Sequence, residues 1–197
     1  MLENTYKNYK IVAGCDEAGR GCLAGPVFAS AVILPIGCKI DTLNDSKKLT
    51  EKQRYKLRDI IQEVAIDFSV AMVDNDEIDK INILNASFLA MHRALDGLKS
   101  NPEFILIDGN RFNKYKDINH ECIIKGDGKF SCIAAASILA KTYRDDFMNY
   151  IDKEHPNYFW KKNKGYPTKK HADAILQYGF TEYHRKSFNV PGQTKLF

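Results

Sequence analysis

No apolar run in the sequence approaches the roughly 20 residues that a bilayer-spanning helix needs, and the amino terminus, MLENTYKNYK, is too polar for the apolar centre of a signal peptide. These absences point to the cytoplasm and away from any membrane. Cysteine is scarce and unpaired in pattern: Cys15, Cys22, Cys38, Cys122 and Cys132 form no CxxC motif and have no histidine partners at zinc spacing. A disulfide framework and a structural zinc are therefore not expected, and the thiols should be reduced and mostly packed. The five histidines are scattered, and none has a neighbour that would make a Ser/His or Cys/His nucleophile. Internal repeats, low-complexity tracts and long linkers are missing too. Even the excess of positive charge is small, +4 from 29 Lys and Arg against 25 Asp and Glu, which agrees with a polyanionic partner without requiring one.

What is present is the make-up of an ordinary globular chain, 44% hydrophobic and 27% charged over 197 residues, with one main domain as the default. Ile11 to Cys15 is apolar and ends in Asp16; after a glycine-rich turn Val27 to Leu34 is apolar and β-branched, so the two read as a hairpin. Thr50 and Gln53 form a capping box ahead of Leu57, Ile60, Ile61 and Val64, which predicts a helix from about Glu51 to Val64 and a strand over Ala65 to Val73. Leu84, Phe88, Met91, Leu95 and Leu98 mark an amphipathic helix that ends near Gly97. Phe104 to Ile107 and Glu121 to Ile124 read as strands, and Ser131 opens a long helix whose alanine-rich start suits close packing on a sheet. Lys141, Arg144, Asp145 and Asp146 mark where that helix should meet solvent. From His155 the composition turns aromatic and basic, with one helix expected from about Lys169 to Tyr178. The order implies an α/β fold with a mixed sheet flanked by helices over 1–154, followed by a small helical carboxyl-terminal subdomain over 155–197.

Three of the expected strands end in acid: Asp16 with Glu17, then Asp108, then Asp127. Carboxylates at neighbouring strand ends converge at one sheet edge, and such a cluster repels itself unless a cation binds. Hard oxygen ligands favour Mg²⁺ or Mn²⁺, and a pair of these ions can clamp the attacking and leaving oxygens of a phosphoryl displacement. Any one of these acids could equally cap a helix or sit in a turn; their number is what favours a site.

Gly19, Arg20 and Gly21 form a loop where backbone can approach a ligand, and Arg20 can meet a phosphate, although a plain hairpin turn explains the same residues. Beside a metal site such a loop could read a sugar hydroxyl through main-chain hydrogen bonds. Lys47, in Asp45-Ser46-Lys47-Lys48, and Lys141 to Arg144 offer further cations, each by default a solvated surface group. Tyr166 lies between basic residues and could stack on a sugar or base, or simply pack.

The blocks DEAGRGCLAGPV at Asp16 to Val27, DSKKL at Asp45 to Leu49 and IDGN at Ile107 to Asn110 resemble, in order, the motifs of bacterial ribonuclease HII. So do KGD at Lys125 to Asp127 with AAASILAK and RD, and KGYPTKKH with HRKSF at His184 to Phe188. The resemblance spans nearly the whole chain. It implies a ribonuclease H-like fold, Asp16, Glu17, Asp108 and Asp127 as catalytic carboxylates and metal ligands, and Gly19, Arg20, Gly21 and Tyr166 as readers of the RNA-to-DNA junction. Phosphate contacts would come from Arg20, Lys47 and the basic tail. It implies Mn²⁺ or Mg²⁺ as cofactor, and hydrolysis of the RNA strand of RNA/DNA hybrids, with incision 5′ of ribonucleotides embedded in DNA to give 3′-hydroxyl and 5′-phosphate ends. A monomer is expected. Cys22 departs from the proline usual in the family, and Thr142 from a common valine. Another nuclease on the same fold, or a hybrid-binding module without catalysis, are the competing readings. The terminus Gln193 to Phe197 resembles short peptides that dock on replication sliding clamps, although Leu196 and Phe197 could instead pack on the carboxyl-terminal subdomain.

Overall fold

The computed structural model describes residues 2–43 and 49–192. Lys47, with the rest of 44–48, and the tail 193–197 lie outside the described residues. Five strands form one mixed sheet: β1 (Val12–Ala18), β2 (Val27–Ile33), β3 (Asp67–Val73), β4 (Phe104–Asp108) and β5 (Asn119–Ile123), in the order β3-β2-β1-β4-β5. β1 pairs antiparallel with β2 and parallel with β4, so it is the central strand. The expected hairpin is present.

Helices cover both faces. On one side α3 (Ile83–Asp96) sets Ala90, Met91 and Ala94 against Ala13, Cys15, Ala31, Ile105 and Ile107 of the sheet. On the other, α1 (Glu51–Val64) and α4 (Ser131–Ile151) enclose Val32 and Leu34 with Leu57, Ile61, Ala135, Ile138 and Leu139. The alanines work as expected, for α4 lies against β1 and β2. Gly14 makes this possible, because a Cβ there would overlap the backbone of Cys132 and Ile133 in α4. Thr50 and Gln53 make both bonds of the capping box that starts α1.

Several expectations are corrected. β1 continues through Ala18, so Asp16 and Glu17 lie within the strand, not beyond it. β5 ends at Ile123, and Asp127 sits in a 3₁₀ turn, Gly126–Gly128, rather than at a strand end. The short α2 (Asn75–Ile81), capped by Asp74, was not foreseen: seven mostly polar residues are too few to display a helical period. Arg144 and Asp145 are each 1% exposed, so this part of α4 faces protein, not water.

That burial is caused by the carboxyl-terminal segment. A 3₁₀ turn (Pro156–Tyr158), α5 (Trp160–Asn163) and α6 (Lys169–Tyr178) gather Tyr158, Trp160, Ala172, Ala174 and Ile175 around Met148 and Ile151 of α4 and Leu23 and Ala24 of the loop after β1. The segment therefore covers the far end of α4 and presses on the loop that leads out of β1.

Candidate active site

The register of β1 and β4 brings the acids together. Cys15 stands opposite Ile107 in parallel pairing, so the next residues, Asp16 and Asp108, occupy adjacent positions on neighbouring strands. Both Asp16 and Gly14 fall on the α4 side, where the hydroxyl of Ser137 bonds the Asp16 carboxylate. Asp16 Oδ1 also accepts from the Glu17 amide at 2.7 Å. Asp108 Oδ1 accepts from the Gly126 amide at 2.7 Å, which ties the turn carrying the buried Asp127 to the end of β4.

The electrostatics follow from this proximity. Burial, then the charges of Glu17 and Asp108, push the Asp16 carboxyl well above the usual carboxylate range. Burial also raises Glu17, with Asp108 adding to the effect, while Arg20 opposes it from 3.1 Å. These three carboxyls form one interacting set. Asp16, Glu17 and Asp108 line a cleft of about 250 Å³ together with Gly19, Arg20, Gly21, Tyr166, Ser137, Arg54 and Lys141. Asp127 is buried in the turn whose Gly126 amide bonds Asp108, and it is not among the residues lining the cleft.

The donor set suits a hard divalent cation: oxygen ligands, partly desolvated, whose mutual repulsion a cation would relieve. Among the described residues, no three of the four acids bring ligand atoms within 4.8 Å of one another; Glu154, His155 and Glu182 do so in the carboxyl-terminal segment. There a His155–Glu182 pair at 3.2 Å and a bond from the Tyr183 hydroxyl to Glu154 account for the grouping.

Of the expected substrate-contacting residues, Gly19, Arg20, Gly21 and Tyr166 share the cleft, and Lys47 lies outside the described residues. Gly19 has φ +99°, which a side chain would resist. Arg20 is half exposed and Tyr166 is 43% exposed, so both present atoms to a ligand. Sequence reading did not single out Ser137 or Arg54. Ser137, Lys141 and Asp145 recur every fourth residue and so share one helical face, a polar stripe in an alanine-rich helix that could have marked the cleft wall. Lys141 pairs with the buried Asp145, and burial lowers its pKa.

A family model described as Ribonuclease HII matches residues 13–190. Ribonuclease HII of Bacteroides thetaiotaomicron is 64% identical over 94% of this chain and 93% of its own length. The chain belongs to the ribonuclease HII family. It is accordingly an endoribonuclease that acts on RNA/DNA hybrids, in a family that depends on metal ions. The ribonuclease HII fold here is similar to that of ribonuclease H2 from Pyrococcus horikoshii, with TM-score 0.76 and 26% identity over 91% of this chain and 94% of that one. An Archaeoglobus fulgidus ribonuclease HII, solved in complex with PCNA, has TM-score 0.75 and 22% identity over 94% of this chain and 98% of that one. Both support the ribonuclease H-like mixed sheet flanked by helices. No described helix is long and apolar enough to cross a membrane.

Proposed function

We propose that the enzyme incises duplex DNA on the 5′ side of embedded ribonucleotides, as well as cutting longer hybrids, and leaves 3′-hydroxyl and 5′-phosphate ends. The observation that carries this reading is the shared cleft: carboxyls raised by burial and mutual repulsion stand beside a loop with backbone open to a ligand and an exposed tyrosine.

Asp16 and Asp108 are the central ligands for Mg²⁺ or Mn²⁺, with Glu17 and Asp127 completing the site or orienting water. Two such ions would supply the charge that steadies an in-line displacement and activates water for attack. Ser137 fixes the Asp16 carboxylate from behind. Asp108 is held at Oδ1 by the Gly126 amide and lines the cleft. Gly19, Arg20 and Gly21 read the 2′-hydroxyl and the adjacent phosphate, and Tyr166 stacks at the junction between RNA and DNA. Lys47 and the lysines of the segment from residue 155 onward, the substrate-holding subdomain in this reading, add salt-sensitive phosphate contacts. The protein acts as a cytoplasmic monomer, and its terminal Gln193 to Phe197 offers Leu196 and Phe197 to a groove on a sliding clamp.

The deciding experiment is cleavage of a DNA duplex that carries one ribonucleotide, with Mg²⁺ and Mn²⁺ compared. A cut on its 5′ side, with no digestion from free DNA ends, is expected. An Asp108→Asn enzyme that cuts at the wild-type rate would refute the assigned site. Clamp affinity that is unchanged after deletion of residues 193–197 would remove the docking role.

A further inference from the structure

Two arginines that the catalytic reading leaves unused are among the largest fully buried side chains of the protein. Arg144, on α4, donates from Nε to Pro26 O at 3.0 Å, from Nη2 to Ala24 O at 3.1 Å and from Nη1 to Lys164 O at 2.8 Å. Arg185 donates from Nε to Gly25 O at 2.9 Å and from Nη1 to Arg20 O at 2.9 Å. The partners are all backbone carbonyls of two segments, the loop from Arg20 to Pro26 and the stretch of chain before Tyr166. Among the described residues neither guanidinium has a carboxylate within 4.0 Å. Burial pushes the Arg185 pKa down to about 10.

Burying two unpaired cations is a poor way to gain stability, since apolar side chains of similar volume pack without the desolvation cost. What a guanidinium does that an apolar group cannot is fix several carbonyls in one plane at set distances. We propose that Arg144 and Arg185 are positioning residues for substrate discrimination, bracing the Gly19-Arg20-Gly21 loop and the Tyr166 segment at a fixed separation. This rests on the reading of those two elements as the junction reader.

Five further contacts agree. The Arg144 guanidinium lies against Gly19, where any Cβ would overlap it, so the brace reaches the first glycine of the loop directly. Leu23 N donates to Gly165 O at 2.8 Å, and Arg185 N to Leu23 O at 2.9 Å, which stitches both segments and the Arg185 stretch together by main chain. Asp79 of α2 accepts from the amides of Lys186 and Ser187, holding the Arg185 segment from its other side.

The consequence is selective. A uniform hybrid offers a ribonucleotide beside every phosphodiester, so a displaced loop still finds a productive register. A lone ribonucleotide offers one register only, and an error of about 1 Å there costs on the order of 100-fold in rate.

The test compares wild type with Arg144→Met, Arg185→Met and the corresponding Lys variants on two duplexes of equal length, one with a single ribonucleotide and one with a continuous RNA strand. The Met variants are expected to lose about 100-fold in kcat/KM on the single-ribonucleotide duplex, mostly in kcat, and less than about fivefold on the continuous hybrid. The Lys variants, which keep the charge and one donor nitrogen but lose the planar fork, should recover part of the preference; they carry the test alone if a Met variant fails to fold. Equal losses on both duplexes that follow the melting temperature would overturn the proposal, as would an unchanged preference. Wild type that cannot cut the single-ribonucleotide duplex would instead overturn the reading of the loop itself.

Discussion

The acidic cleft and the histidine-rich cluster behind Tyr166 both bury ionisable groups, but they settle the cost of burial in opposite ways. In the cleft, Asp16, Glu17 and Asp108 repel one another, and burial makes the repulsion worse. Such a site is relieved by a proton or a cation. Behind it, His171 and His184 are fully buried beside Trp160, and each satisfies its neighbour without charge. Trp160 Nε1 donates to His171 Nε2 at 2.9 Å, His171 Nδ1 donates to Tyr166 O at 3.0 Å, and His184 Nδ1 accepts from the Thr181 amide at 2.9 Å. His184 Nε2, left as its proton-bearing nitrogen, lies 3.3 Å from His171 Nε2, whose lone pair the Trp160 indole already engages. One region is short of positive charge and the other has no room for it. They meet at Tyr166, whose side chain lines the cleft and whose carbonyl accepts from His171 Nδ1.

The largest effect that separates the two regions should come from Asp16→Asn. Asn keeps an acceptor for the Glu17 amide but removes a charge, so hybrid cleavage is expected to fall by about 10³-fold, equivalent to ~4 kcal/mol of barrier. Stability should move the other way: without divalent ions the variant should melt at or above the wild-type temperature, because like charges no longer crowd the site. A variant that loses activity together with stability would show that Asp16 is structural. Next in size is the response to metal. Mg²⁺ or Mn²⁺ at 100 times its dissociation constant should stabilise wild type by about 2.7 kcal/mol, and Asp16→Asn by much less, as read by thermal melting in a metal titration. An equal shift in both would place the cation elsewhere, and Glu154, His155 and Glu182 would then be the group to mutate.

How far these regions could be read from sequence differs for a physical reason. Asp16 and Asp108 were legible because each follows an apolar strand run, and strand periodicity is a local signal; what sequence left open was the parallel register that sets one beside the other. Asp127 was placed one element too early, since a 3₁₀ turn of three residues has no pattern of its own. The histidine cluster was not legible at all. His171 and His184 are scattered in sequence and meet only through tertiary packing, and each looks alone in its own segment. Arg144 was misread as solvent-facing, because charge is a strong prior for exposure and its carbonyl partners lie 118 and 120 residues away in the chain, as well as 20.

The smallest of these effects is in pH, and its sign distinguishes the regions. Burial and the neighbouring His171 push the His184 pKa down to about 3, so above the ordinary imidazole value of about 6.5 neither folded nor unfolded chain holds the proton. As pH falls below that value the unfolded chain binds a proton that the folded chain refuses, and stability is lost progressively until about pH 3. At pH 5 the loss attributable to His184 is about 2 kcal/mol. Asp16 and Glu17 act oppositely: their folded pKa values are raised, so protonation favours the folded chain and stability rises as pH falls through those values. Saturating divalent cation should silence the carboxylates by holding them ionised, and leave the histidine slope exposed. Melting curves between pH 8 and 5 should therefore be steeper with Mg²⁺ than without it, and the metal-bound slope should flatten in His184→Gln. If the two slopes coincide, the carboxylates do not titrate against the histidines, and the contrast between the two regions is wrong in its electrostatics.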